Sequence, residues 1–446
     1  MASVQDWLVA TAFDPAQPSA GDTQRVIAIA RDIGGVMVAG SRTEAVDHLR
    51  AYLDATSADG PVPVIGSAAR RDPVGAAMAN GSAAQALDYD DIAPSCVSHL
   101  GAIMVPAMLS FVHEMDADQA IAGYVRGLCA VDRLAEAFTH DVYDRGIQPT
   151  HACGPIGAVV ALVHALGLAE HEARNALGLV ATQLIGLRDH TGTRYKAVQA
   201  GVAAAAAVRS VLLARAGISA GRGAIDVVFG LLGVDETAMS RLCRDGLPAP
   251  VSVAPKAFPT CGASHTAIEA TLALRQQWPD PGDPEVTIEI TCAPQVMVAL
   301  VFDRPANPDE ARFSLPYPVA VAWRHGIVAP HSFAPDALAD PGVLGLMDKV
   351  KITVDAALSP PPTWSGMPAQ VEVRGREYAA TCRIDRPLGY PERPMSAEQL
   401  DAKFLRCTAP VLGEDRAAAA LADLRDGDVF ARLGELLTLG EKAPAA

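Results

Sequence analysis

The sequence predicts a mostly α-helical protein, an all-helical domain interrupted by a smaller α/β domain. Three observations lead there. Ala is frequent while aromatic residues make up only 5% of the 446 residues, and Ala has the best helix propensity and lets helix axes approach closely. Apolar residues recur with a helical period from about residue 22 to 275. Near residue 280 that period gives way to alternating, β-branched runs, and it returns from Ser396 onward.

In chain order, helices are expected over 23–38, 44–55, 75–87, 101–115, 117–138, 154–166, 170–184, 196–216 and 265–278. Asp116 and Asp118 mark the start of one, and Thr266 with Glu269 is spaced as a capping box at another. QQWPDPGDPE then reads as a Pro/Asp/Gly linker. The runs EVTIEITC, KVKITVDA, AQVEVRG and YAATCRI follow as strands, with helical period at 315–323 and 336–347 between them. Residues 396–437 are helical again. The expected division is a helical domain built from 1–279 and 393–446, with an α/β domain of 280–392 inserted. No internal repeat of 20–50 residues is visible.

Composition excludes several classes. The length is too great for one ordinary core, so two domains are expected. With 50% apolar and 20% charged residues, the chain can fill a large core and does not read as disordered. The formal net charge of −15 provides no field to attract nucleic acid or an anionic membrane, so neither is expected as a partner. An anionic substrate would need a local cluster of cations. The eight cysteines are scattered without a C-x-x-C pair, which points to reduced thiols rather than disulfides, zinc or an iron–sulfur cluster. The opening MASVQDWLVATAFDP lacks the layout of a signal peptide, and the apolar runs look shorter than the roughly 20 residues of a membrane span. A cytoplasmic location is the resulting expectation.

Four segments concentrate polar residues where a core helix would not need them. The first runs from Asn80 through Asp88, Asp90 and Asp91 to His99. It reads either as an acidic helix end or as a site, and acids at a helix C-terminus are mildly unfavourable, so Asp88 needs a further reason. The second, Arg145 to Gly157, sets Gln148, Thr150 and His151 at the entry to a small-residue helix, where anions are favoured; a capped turn is the plainer reading. The third places Arg188, Thr191, Arg194 and Lys196 directly before an Ala-rich helix, as a solvated loop or as a wall for a carboxylate. The fourth, Pro255 to His265 with Lys256 and Cys261, lies just before the linker, where interdomain clefts form. The spacing of a metal site, a nucleophile elbow, a P-loop and a dinucleotide fingerprint are all missing.

Together these stretches resemble the MmgE/PrpD family, which contains 2-methylcitrate dehydratases, cis-aconitate decarboxylases and iminodisuccinate epimerases. The matching motifs are NGSAAQALDYDD with the later SH, RGIQPTHACGPIGA, TGTRYKAVQAG, FGLLG, PKAFPTCGASHTAIEA and RFSLPYPVAVAW, in the family's order. The resemblance implies that the α/β domain is a lid over an interdomain active site. It also implies a homodimer and no metal or organic cofactor. Its functional positions fall on Asp88, His99, Lys196, Lys256 and Tyr317. Many members carry His where this chain has Gln148, and often Thr where it has Ile92. Cis-aconitate decarboxylases carry His where this chain has Cys261. These exchanges remove polar groups that read a tricarboxylic acid, and they weigh against a decarboxylase more than against a methylcitrate dehydratase.

The chemistry expected from the resemblance is proton abstraction next to a carboxylate of a small acid. His99 is the expected base with Asp88 orienting it. Lys196, Lys256 and Arg188 stabilise the developing charge, and Tyr317 donates a proton from the lid. Gln148, Thr150, His151, Thr191 and Cys261 are assigned to substrate binding. A hydro-lyase is the leading expectation and an epimerase the alternative. A decarboxylase and a catalytically silent binding protein are the remaining readings.

Overall fold

The computed structural model describes residues 3–138, 141–243, 246–278, 282–358, 367–425 and 428–439. Helices dominate, and the protein is mostly α. Its largest apolar core joins the helices Val4–Ala12, Ala20–Gly40, Gly101–Leu109, Ala117–Phe138, Pro149–Ala165, Glu170–Ala181 and Tyr195–Arg215. The late helices Ala397–Leu412 and Val429–Leu439 add Phe404, Leu412, Phe430, Leu433 and Leu436 to the same core.

Small residues let these helices approach. A Cβ on Gly201 would lie 2.1 Å from the Met78 carbonyl oxygen, and one on Gly81 would lie 2.9 Å from the Cα of Gly201. The helices Pro73–Gln85 and Tyr195–Arg215 therefore touch backbone to backbone. This contact sets the site, because Asp88 follows the first helix and Lys196 lies in the first turn of the second.

The four-stranded sheet runs in the order Val350–Val354, Thr287–Cys292, Ala369–Arg374, Ala379–Ile384. The first pair is parallel, with Ile290 opposite Ile352, and the other two are antiparallel. Inward residues alternate along the central strands, as the period of two requires: Ile288, Ile290 and Cys292 on one, Val371 and Val373 on the next. The helix His265–Gln277 packs its Ala267, Ala270 and Leu274 on this sheet, together with Val319 and Trp323 of Pro316–His325. Its apolar face thus belongs to the sheet's core, although its period alone did not separate it from the earlier helices. Residues 279–281 of the expected linker lie outside the described residues.

Some local expectations are corrected. The helix expected from 154 begins at Pro149, since Pro is well suited to the first helical position. The helix from Gly101 stops at Leu109 rather than near 115. Pro341 divides the stretch 336–347 into Pro335–Leu338 and Pro341–Met347, with Asp340 capping the second. Thr266 and Glu269 form no capping box: the Thr266 hydroxyl donates to the Met367 carbonyl, and Glu269 accepts from the Leu388 amide and pairs with Arg393. Tyr195–Arg215, in contrast to expectation, is long and apolar enough to cross a membrane by length and composition. Its consecutive buried alanines, Ala203 to Ala207, cover more than a full turn, so the helix is enclosed on every side there and is a central packing element of the helical core.

The close helix crossing yields a test. Gly201→Ala forces a methyl group against the Met78 backbone, and overpacking of this kind costs about 1–3 kcal/mol. Thermal melts of the variant should show a lowered midpoint, with activity reduced as Asp88 and Lys196 move apart.

Candidate active site

The chain leaves the Pro73–Gln85 helix through a tight reversal at Asp88, whose φ of +49° lies in the left-handed region. Asp tolerates that region better than most residues, but at a cost. Two lysines offset it. Lys196 donates to Asp88 Oδ1 at 2.6 Å. Lys256 donates to Asp88 Oδ2 at 2.8 Å and to the Asp88 carbonyl at 2.9 Å. All three side chains are nearly or fully out of solvent. Burial pushes the Asp88 carboxyl up, but Lys196 and then Lys256 more than reverse this and hold it well below the usual carboxylate range. Burial works against the Lys256 ammonium, and Asp88 and Asp90 keep its pKa raised. This ion cluster is the further reason that Asp88 needed.

The next three residues tie the loop to other elements. The Tyr89 hydroxyl donates to the Ala257 carbonyl at 3.2 Å, and Lys403, paired with Asp32, donates to the Tyr89 carbonyl. Asp91 accepts the Gly101 amide through its carboxylate, capping that helix. Asp90 accepts from Gln85 Nε2 at 3.0 Å, while its Oδ2 is buried without a hydrogen-bond partner among the described residues.

His99 sits against this loop. Its Nδ1 lies 2.9 Å from the Asp91 carbonyl oxygen. A carbonyl only accepts, so Nδ1 carries the proton and Nε2 is left as a bare acceptor. The orphan Asp90 Oδ2 is 3.1 Å from the same Nδ1. The carboxylate that flanks His99 is therefore Asp90, which corrects the expectation that Asp88 orients it: Asp88 is fully engaged by the lysines. Thr150 accepts the His99 amide at 3.1 Å and fixes its backbone.

A cavity opens beside these groups. It is lined by Asp88, His99, Gln148, Arg188, Thr191, Lys196, Lys256 and Cys261, and by the apolar Ile92, Val97, Ala299, Phe313 and Met367, with Tyr143 and Tyr390. Measured to the centres of water-sized spheres its volume is about 50 Å³, so it suits a ligand of few atoms. Arg188 stacks on Tyr143 at 4.7 Å, with its Nη1 buried and unpaired. Lys196 lies over the Phe313 ring. Among the described residues, the three non-glycine positions with positive φ are Asp88, Val97 and Met367, and all three line this cavity. Backbone strain of this kind persists where the surroundings impose it, and it gathers at functional sites.

Three expected residues fall elsewhere. Tyr317 is buried but absent from the lining, with its hydroxyl donating to the Ser332 carbonyl. Thr150 acts through the His99 backbone rather than at the cavity wall. His151 lies behind the wall, and burial lowers its pKa to about 4, which keeps the ring neutral. Sequence reasoning missed Tyr390, Tyr143, Phe313 and the role of Asp90. Asp90 stood inside a quoted motif, and Tyr390 sits between Gly389 and Pro391, a punctuation that marks a loop without marking a site. Burial pushes the Tyr390 and Tyr143 hydroxyls up and keeps them protonated.

The ligand atoms of Asp88, Asp90 and His99 lie within 4.8 Å of one another, a grouping that could in principle hold a metal ion. Spacing in the sequence did not reveal it. Both Asp88 oxygens are already taken by ammonium groups, so a divalent cation would have to displace a lysine and face the other. The donor set fits an ion cluster better than a metal centre. The eight cysteines are free, and burial keeps the Cys261 thiol protonated.

Residues 4–236 match the MmgE/PrpD N-terminal domain and residues 258–425 the MmgE/PrpD C-terminal domain. The chain is 24% identical over 429 residues to cis-aconitate decarboxylase of Mus musculus, covering 90% of this chain and 86% of the relative. It is 23% identical over 470 residues to a cis-aconitate decarboxylase-like protein of Aspergillus oryzae, covering 98% and 96%. It is 23% identical over 402 residues to cis-aconitate decarboxylase of Homo sapiens, covering 82% and 80%.

The cluster predicts a pH signature. A carboxyl whose pKa is lowered on folding contributes stability that is complete above its ordinary value of 3.8 and lost as pH falls further through the folded value. Asp88→Asn should be less stable than the native protein at neutral pH, because two buried ammonium groups lose their counter-charge. Denaturant titrations should show that difference shrinking only at pH values below that of an ordinary aspartate. A difference independent of pH down to the acid limit would remove the ionised Asp88 from the account.

Proposed function

The chain belongs to the MmgE/PrpD family, and from that premise we propose that it is a lyase that takes the α-proton of a small hydroxylated di- or tricarboxylic acid and eliminates water. One observation carries the reading. His99, its Nδ1 held by the Asp91 carbonyl, lines one cavity with Lys196, Lys256 and Arg188, whose Nη1 is buried and unpaired.

In this mechanism His99 Nε2 takes the proton from carbon, and the electron pair left behind spreads onto the neighbouring carboxylate. The lysines and Arg188 stabilise that charge because they are fixed in place before the reaction. Asp90 Oδ2 stabilises the imidazolium that forms, and Thr150 holds the ring at its post. The pair then forms the double bond as the carbon–oxygen bond breaks. Tyr390 takes the acid role expected of Tyr317, because it lines the cavity and Tyr317 does not. Although burial makes it hold its proton tightly, departing hydroxide is the stronger base. The 280–392 part acts as a lid in this reading, supported by its contribution of Ala299, Phe313, Met367 and Tyr390 to the lining. A homodimer working in the cytoplasm completes the proposal, on the family resemblance and on the sequence reading.

Decarboxylation is the second reading, favoured by the names of the relatives. It uses the same cations but needs no acid for a leaving hydroxyl. Epimerisation is the third reading: with Tyr317 turned to Ser332, it would use Tyr390 to return a proton to the opposite face of the carbanion.

Incubation with hydroxy di- and tricarboxylic acids in deuterated water should yield an unsaturated acid without carbon dioxide release. Carbon dioxide as the main product would shift the assignment to the second reading, and deuterium incorporation with no alkene would sink both. His99→Ala should lower kcat by about 10²–10⁴-fold, the usual contribution of a general base. Tyr390→Phe should slow elimination by about 10²-fold or more while α-deuterium exchange continues. Loss of both in parallel would assign Tyr390 to binding. Activity should survive extended chelation, and its return only on adding a divalent ion would restore the metal alternative at Asp88, Asp90 and His99.

A further inference from the structure

We propose that Lys403, on the late helix Ala397–Leu412, is a positioning residue for His99 and acts on it through Asp90. The inference rests on the reading of His99 as the base. The buried residues of that helix are Lys403, Phe404, Cys407, Thr408 and Leu412. Lys403 is 2% exposed, in a row where an apolar side chain would pack without the cost of desolvating a charge. An ammonium group has three N–H donors. Two are taken by Asp32, each of whose carboxylate oxygens lies 2.8 Å from Nζ. The third reaches the Tyr89 carbonyl oxygen, also at 2.8 Å. Asp32 balances the charge, yet a buried ion pair often gains no stability over an apolar pair of similar volume. The bond to Tyr89 is what an apolar pair could not supply.

That carbonyl belongs to the peptide group leading into Asp90. The carbonyl before it, of Asp88, is held by Lys256 at 2.9 Å. Two lysines remote from each other in sequence thus fix consecutive carbonyls of one loop. The loop needs such restraint, because Asp88 has a φ of +49°. The Asp90 carboxylate sets one oxygen on Gln85 and the other 3.1 Å from His99 Nδ1. Gln85 Nε2 also lies 3.3 Å from Asp88 Oδ1, so its hold on Asp90 is shared. Asp91 is placed separately, by its pairing with Pro255 and by the Gly101 amide. The main chain at Asp90 is therefore set by Lys403. Without that bond the peptide can rotate, Asp90 turns from His99, and the imidazolium formed by proton abstraction loses its counter-charge. The cations that face the cavity, Lys196, Lys256 and Arg188, are left in place.

The test uses the full-length protein. Asp32→Leu/Lys403→Met replaces the ion pair by an apolar pair. Its kcat should fall about tenfold to a hundredfold, the scale of loss when a reacting group is displaced by about 1 Å, while KM stays near the native value. The Nδ1 proton resonance of His99, assigned by its absence in His99→Ala, should move upfield as far as it does in Asp90→Asn. Adding Asp90→Asn to the pair should cost nothing beyond Asp90→Asn alone, since both act at one contact. Losses that multiply would mark a general packing defect and overturn the proposal, as would native kcat and a native resonance in the pair. Asp32→Asn keeps Lys403 as a donor to Tyr89 and should leave the resonance where it is; a shift equal to that of the pair also overturns it. Should the pair fail to fold, Lys403→Gln, with a shorter side chain, carries the same comparison. The resonance is read without substrate. If it moves as expected in a protein that turns over no hydroxy acid, the lyase reading fails and the role of Lys403 in holding Asp90 stands.

Discussion

Everything around the cavity depends on one carboxylate shared by two ammonium groups. Asp88 is held by Lys196 and Lys256, all three nearly or fully buried. Taking three charges out of water is expensive, and their mutual attraction repays it only with good geometry and satisfied hydrogen bonds. That geometry joins three distant parts of the chain: the end of the Pro73–Gln85 helix, the start of the Tyr195–Arg215 helix and the segment just before His265–Gln277. None of the three can shift without leaving a buried charge unpaired. The cluster is a poor way to gain stability and a good way to fix positions.

The helical core supplies the rigidity this requires. Gly81 against Gly201 and the run Ala203–Ala207 bring helices together without long side chains to adjust. The loop between is pinned residue by residue, Asp88 to the lysines, Tyr89 to Ala257 and Lys403, Asp90 to Gln85, and Asp91 to Gly101. A backbone held at so many points can sustain unfavourable torsions, and Asp88, Val97 and Met367 do so around a single cavity. Strain, buried charge and an unpaired guanidinium nitrogen converge on one place, so the site is recognisable from physics before any relative is consulted.

The division of labour within the DYDD motif follows from backbone direction. Its four residues differ in what they meet: ammonium groups at Asp88, Lys403 of the helix Ala397–Leu412 and a backbone carbonyl at Tyr89, an imidazole at Asp90 and a helix N-terminus at Asp91. A string of like acids thus resolves into different electrostatic roles. Burial pushes the Asp91 carboxyl well up, whereas the lysines pull that of Asp88 well down.

Helical period, strand alternation and the clustering of polar residues were legible in the sequence because each is a local property, repeated over several neighbours. Those signals determined the mostly helical class, the positions of the principal helices and strands, and the segments that supply most of the cavity wall. They failed where the deciding partner is remote. Thr266 and Glu269 had the spacing of a cap, but Met367, Leu388 and Arg393 claim them. Tyr317 stood in a motif, but the Ser332 carbonyl takes its hydroxyl, while Tyr390, unremarkable in sequence, reaches the cavity. Which acid serves His99 could not be read from four adjacent letters, since Asp88 and Asp90 differ only in what the folded chain brings to them. The sequence by itself determined which chemical groups were available and in which segments they lay. Only the tertiary structure decided which of them share a charge, because partners such as Asp88 and Lys256, 168 residues apart, are brought together by packing rather than by spacing.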